Sequence, residues 1–169
     1  MSTRRWAAAA VAATSLVLAG CTGAEPGVVA YVGPTRITQA QLDTAVAGVS
    51  STLQPGQQVS PQAVVNVLII GELAAQIAAE RGIAITDAQR EALLRTGNLA
   101  PLLAVPDARP LAFDFADQNL VSTRLGAEAF LAELGRRDVT LNPRFGVLDP
   151  ATKQIAEASS GSLSVPTGS

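Results

Sequence analysis

Histidine is absent from this 169-residue chain, and that absence closes more chemistry than any other feature of its composition. Without imidazole there is no Ser-His or Cys-His nucleophile pair and no imidazole metal ligand. Cysteine occurs once, at Cys21, so no intramolecular disulfide can form and a folded domain must rest on its apolar core. Lysine is nearly missing as well: Lys153 is the only one. Aromatic residues make up 4%, which leaves Val, Leu, Ile and Ala to build the core, a set suited to helices.

Cations are also few. The chain carries 12 basic and 14 acidic residues, a net charge of −2, and setting aside Arg4 and Arg5 near the N-terminus lowers it to −4. One basic doublet, Arg136-Arg137, remains. Nucleic-acid binding demands clustered cations, so no nucleic-acid partner is expected. No glycine-rich phosphate loop succeeds a strand, and no calcium-loop spacing occurs. Carboxylates could still do acid–base work. Asp114 and Asp117 lie three apart and share a helix face, but they read as a solvated first turn, because acids favour helix N-termini. No catalytic residue, metal site or cofactor is expected, and the chain does not read as an enzyme.

The first positive signal lies at the front. Arg4 and Arg5 precede an apolar run from Trp6 to Leu18, broken only by Thr14 and Ser15, and the run ends in Leu18-Ala19-Gly20-Cys21. A charged start, a short apolar middle and small residues before a cut are the parts of a secretory signal. The run is shorter than the roughly 20 apolar residues of a spanning helix. Leu-Ala-Gly-Cys resembles the lipobox of bacterial lipoproteins, which implies a diacylglycerol thioether on Cys21; the alternative is cleavage near Ala24 without lipid. The expected organisation is a leader over 1–20, a tether over 21–27, a folded domain over 28–149 and a disordered tail over 150–169. Membrane lipid, reached through Cys21 on the extracytoplasmic face, is the first expected partner.

Within the folded part, Val28-Val29-Ala30-Tyr31-Val32 reads as a strand ended by Gly33-Pro34. Thr38 with Gln41 forms a capping box, and Ile37 and Leu42 are placed as a hydrophobic staple, so a helix is predicted over 39–49. Ser60-Pro61 starts a second helix that runs to Arg81, with Gly82 as its stop. Its first half is apolar nearly all round, which marks the central helix of a domain. Thr86 with Gln89 repeats the capping pattern and opens a third helix ending near Gly97. A proline-punctuated connector covers 98–110, and two more helices are predicted over 111–125 and 127–134. Residues 138–141 read as a second short strand, with an Asn142-Pro143 turn after it.

These elements give a mainly α fold class. About five helices should pack around a long central apolar helix. A small two-stranded antiparallel sheet, 28–32 with 139–141, should join the two ends of the domain.

The order strand, Gly-Pro turn, Ile-Thr cap, helix, long apolar helix, then Glu80-Arg81-Gly82-Ile83-Ala84-Ile85-Thr86-Asp87-Ala88 resembles the N-terminal helical region of SurA-type extracytoplasmic chaperones. The likeness runs over about 28–94. Val139-Thr140-Leu141-Asn142-Pro143-Arg144-Phe145-Gly146 is similar to the ending of actinobacterial SurA-like lipoproteins. Members of that group carry parvulin prolyl-isomerase domains. Here the connector at 98–110 leaves no room for one, and the histidines typical of parvulin sites are missing. The resemblance therefore implies a chaperone-like or peptide-binding module without isomerase activity, whose partner is unfolded or extended polypeptide. The alternative is a structural or adaptor lipoprotein that docks one folded partner. The candidate apolar groove is Val64, Val67, Leu68, Ile70, Leu73 and Ile77 on the long helix. Asn142, Pro143, Arg144, Phe145 and Gly146 form either a partner motif or a turn lock, in which Arg144 pairs with Asp138 or Asp149. Phe113, Phe115 and Phe130 are expected in the core.

Overall fold

Val28–Val32 (β1) is apolar at every position except Tyr31, and a strand of that kind needs cover on both faces. The computed structural model describes residues 25–156 and places β1 in the middle of a three-stranded antiparallel sheet. Val29 and Val32 are fully buried. On one side β1 turns through Gly33-Pro34 into β2 (Thr35–Thr38), with Val32 opposite Thr35. Gly33 takes φ +55 at the first position of this two-residue turn, which glycine adopts without a Cβ penalty. On the other side β1 pairs with β3 (Val139–Leu141), placing Ala30 opposite Leu141 and Val32 opposite Val139. The predicted pairing of the two ends is therefore present, but the expected two-stranded sheet is a three-stranded one. The reason is that Gly33-Pro34 reverses the chain rather than merely ending the strand.

Helix boundaries obey local capping chemistry. α1 (Gln39–Ser50) starts at Thr38, whose hydroxyl accepts from Gln41 N while the Gln41 side chain accepts from Thr38 N. Ile37 and Leu42 are both buried beneath this box. α2 (Pro61–Arg81) opens on a Ser60 cap with proline in the first turn and closes on Gly82 at φ +65. There Ile83 N donates back to Ala78 O at 2.8 Å, which satisfies a carbonyl that would otherwise lack a partner. α3 (Asp87–Thr96) repeats the capping box with Thr86 and Gln89. The left-handed residue after it is Asn98 at φ +59, not Gly97.

The connector at 98–110 is partly helical. It holds α4 (Ala100–Leu103) and the first turn of α5 (Arg109–Leu125). α6 (Ala127–Gly135) leads into β3. α1, α5, α6 and the sheet pack on α2, but α3 and α4 pack on α5 instead. The picture of about five helices around α2 is corrected accordingly: of the six helices among the described residues, α3 and α4 pack on α5 and not on α2. One core gathers Leu42, Val65, Ile69, Leu73, Ile77 and Leu134 around α2. A smaller one gathers Leu94, Ala112 and Ala116 beyond α5. Each fully buried Leu or Ile contributes about 1.5–3 kcal/mol through apolar area removed from water. α2 and α5 touch most closely at Gly71, where an added Cβ would stand 2.4 Å from the Asp114 Cβ.

α2 is long and apolar enough to cross a membrane by length and composition. Here half of its apolar stretch is buried, against α1, α5, α6 and β1.

The fold extends past the expected domain limit at 149. After a 3-10 turn at Pro143–Phe145, β4 (Val147–Leu148) pairs with β5 (Ile155–Ala156). The Asp149 carboxylate accepts from Ala151 N and Thr152 N and so shapes the turn between them. Ile155 is buried in the main core, and its N–H donates to Asn66 Oδ1 on α2 at 2.7 Å. Residues 150–156 are thus part of the fold and not of a disordered tail; 157–169 lie outside the described residues.

Candidate binding groove

The first half of α2 has apolar side chains on more faces than its neighbours cover. Val64 and Val67 form the floor of an open groove of about 270 Å³. Val49 at the end of α1 and Val59 before α2 make one wall. Leu99 and Leu102 of the α4 segment make another, and Ala112 and Phe115 of α5 close the side. No charged residue lines it. A groove of this size falls just below the roughly 300–1,000 Å³ typical of small-molecule sites. Its scale suits a few apolar side chains presented by a longer segment.

This arrangement redraws the predicted groove. Val64 and Val67 line it, Val64 from within the core at 2% exposure, whereas Ile70, Leu73 and Ile77 are core residues that do not line it. α5, α6 and β1 cover that stretch of α2. Leu68 faces a second cleft, of about 470 Å³, between β2, α1, α2 and α5. Leu111 borders both. Between them α1 meets the start of α5 almost backbone to backbone: a Cβ on Gly48 would lie 2.5 Å from Ala108 N.

Charge separates the two depressions. The second cleft, though mostly apolar, has four charged residues in its lining, Arg36, Glu72, Asp107 and Asp114. Glu72 accepts from Thr35 Oγ1 and from Gln76 Nε2, each at 2.8 Å. Burial against α2 raises the Asp114 carboxyl from its ordinary 3.8 to about 7, with further upward pressure from the Asp117 and Glu72 charges. Asp114 is half-buried; Asp117 is buried, and Arg90 of α3 clamps it with two hydrogen bonds at 2.6 and 3.0 Å. The expected solvated first turn is therefore wrong for both aspartates. Both lie on the side of α5 that meets its neighbours, Asp114 against Gly71 of α2 and Asp117 against Arg90 of α3, and α5 begins at Arg109, so neither falls in its first turn. Among the described residues no group of three or more Asp, Glu, Cys or His is placed to hold a metal ion.

The segment from Asn142 to Gly146 sits where β3 leaves the sheet. Asn142 donates from its backbone N–H to Val29 O at 2.9 Å and from its side chain to Val28 O at 3.1 Å. Its Oδ1 accepts from Arg144 N, and Pro143 occupies the 3-10 turn. Arg144 pairs with neither Asp138 nor Asp149. Its guanidinium donates to Gln39 Oε1 at 2.6 Å and lies 4.7 Å over the Phe145 ring. Asp149 instead accepts from its own turn, and the Thr152 and Ala151 donors hold its carboxyl below the ordinary range. Phe145 packs on the main core, and Gly146 closes the turn at φ +123.

Of the aromatic residues expected in the core, Phe130 is buried there, and Phe113 and Phe115 are half-buried and pack against the smaller core; Phe115 is also a groove wall, and Phe113 carries the Arg109 and Arg90 guanidinium groups at 5.0 and 5.5 Å. Val49, Val59, Leu99, Leu102 and Phe115 escape the sequence reading, which finds only the α2 side of the groove. The all-round apolar character of α2 is the one sequence signal that points there. Cys21 and its tether up to Ala24 lie outside the described residues. No protein-family model matches this chain, and no curated protein or solved structure matches it, so the likeness to SurA-type chaperones rests on the order of elements and short motifs alone.

Proposed function

We propose that this chain is a membrane-anchored extracytoplasmic lipoprotein whose helical domain binds an apolar stretch of extended polypeptide in the groove over Val64 and Val67. The supporting observation is the groove itself: ten apolar side chains from four parts of the fold, open to one side, with no charged residue among them. Open apolar grooves of this kind take alternate side chains of an extended segment or one face of a helix. The leader and Leu18-Ala19-Gly20-Cys21 support attachment through Cys21. No isomerase activity is proposed, because the chain between α3 and α5 has no room for a parvulin domain. An adaptor that docks one folded partner is less well supported, since a folded surface rarely fills a recess only a few side chains wide.

A short fluorescein-labelled peptide of alternating Leu and Ser tests the reading by fluorescence anisotropy. Binding is expected, and Val67→Asp is expected to weaken it at least tenfold, because the introduced carboxylate would be desolvated on closure. A melt of the Val67→Asp protein like that of wild type shows that the fold survives. Absence of binding, or binding undiminished in both Val67→Asp and Leu102→Asp, overturns the reading.

A further inference from the structure

The groove lies beside the point where the C-terminal segment leaves the fold. β5 ends at Ala156, and Ile155 is pinned to Asn66. Asn66 is one helical step from Ala63 and adjacent in sequence to Val67, both of which line the groove. Positions three apart on a helix are surface neighbours, with Cβ atoms roughly 5–6 Å apart. Ile155, one residue before the end of β5, is thus held to α2 about one helical turn from Ala63 of the groove.

The thirteen residues after Ala156 have a definite character. Residues 157–162 are Glu, Ala, Gly and three serines, and then come Leu163-Ser164-Val165-Pro166. Leu163 and Val165 are the only large apolar residues in this stretch. A serine stands between them, so an extended backbone puts both on one face. Pro166 biases Val165 toward that extended conformation. Leu163 is seven residues past Ala156, a reach of up to about 25 Å. A helix the length of α2 spans about 30 Å, so Leu163 can lie anywhere along the first half of α2. No charged side chain from 158 to 169 opposes entry into an uncharged groove.

We propose that Leu163-Ser164-Val165 of the same chain occupies the groove, with Leu163 and Val165 over Val64 and Val67, and competes there with incoming polypeptide. The proposal rests on the peptide-binding reading and adds its regulation: the chain carries its own competitor. A tether this short gives an effective concentration on the order of millimolar. If the segment binds with a dissociation constant of about that size, it halves the free groove; tighter binding lowers apparent peptide affinity further.

The experiment uses the full chain in lipid nanodiscs and compares three forms: wild type, a chain ended at Ala156, and the double substitution Leu163→Ser with Val165→Ser. The Leu-Ser peptide is the probe. Both altered forms are expected to bind it two- to tenfold more tightly than wild type. A benzoylphenylalanine photocrosslinker in place of Leu163 is expected to react with Ala63, Val67 or Phe115 of its own chain, as judged from a mixture of light and heavy isotope-labelled protein. If all three forms bind the probe equally while Val67→Asp still abolishes binding, the competitor is overturned and the groove reading stands. Absence of probe binding even by the chain ended at Ala156 overturns the groove reading, and the competition falls with it. Crosslinks between light and heavy chains overturn occupancy by the same chain.

Discussion

At the scale of the single residue, Asp114 is the most consequential side chain outside the groove. Gly71 lets α5 approach α2 so closely that the Asp114 carboxyl is pressed against the helix, and the resulting desolvation raises it to about 7. In the unfolded chain the same group titrates near 3.8, so between those values the folded state holds a proton that the unfolded state has lost. The stabilising contribution is therefore fully present below about pH 4 and is lost as pH rises toward 7. Asp114→Asn removes the titration and keeps the shape. Its melting temperature should rise relative to wild type as the pH increases from 4 to 7, and the gap should stay constant above 7. Melts at pH 4.5, 6 and 8 check this, and a gap independent of pH would show that Asp114 is not held protonated. Arg90 must be left intact in this test, because its clamp on Asp117 is a separate interaction whose removal would leave a buried carboxylate unpaired.

At the scale of elements, the C-terminal segment decides how the domain closes. Ending the chain after Arg137 removes β3, the Asn142 hydrogen bonds and the Phe145 packing. β1 then becomes an open edge whose backbone groups on that side are unpaired, and cooperative unfolding should disappear. Ending it after Asp149 removes β5 and buried Ile155 but leaves the β1–β3 pair, for which a loss of about 2–4 kcal/mol is expected from the vacated core site. Ending it after Ala156 leaves every described contact in place and should shift the melt least. Chemical denaturation of the three truncations should rank them in that order, and equal stability of the chains ended after Asp149 and Ala156 would remove Ile155 from the core. The same elements show where sequence is informative. Thr38–Gln41, Ser60-Pro61, Gly82 and Thr86–Gln89 act through neighbours within a few residues, so helix limits are legible from those residues alone. β2 is less so, because Thr38 serves both as the last residue of a strand and as a helix cap, and the cap signal hides the Thr35-Arg36-Ile37 alternation. Ile155 is a lone apolar residue in a polar stretch, with no periodicity to announce it; its burial depends on Asn66, 89 positions away. The groove shares this difficulty, since Leu99 and Leu102 reach it only through the packing of α4 on α5.

At the scale of the whole molecule, one strand ties the chain together. β1 lies near the start of the described fold, β3 near its end, and their pairing closes the helices between them into a single unit. Cys21 stands seven residues before Val28, where β1 begins, so an acylated Cys21 would hold the sheet within about 25 Å of the bilayer. One acyl chain retains a protein only reversibly, at about 0.8 kcal/mol per buried methylene, whereas two or more give a stable anchor. α2, the one spanning-length helix among the described residues, is packed against α1, α5, α6 and β1, so the proposed anchor is Cys21 and not this helix. On the proposed lipoprotein reading, Cys21→Ala should prevent lipid attachment, giving either an uncleaved precursor or a soluble product, while the folded domain keeps the wild-type melt. Fractionation with mass spectrometry of the N-terminal peptide checks both halves of the expectation. A wild-type peptide without acyl groups, together with a cleaved Cys21→Ala protein that stays with the membrane, would mean that some other surface of the domain holds it there.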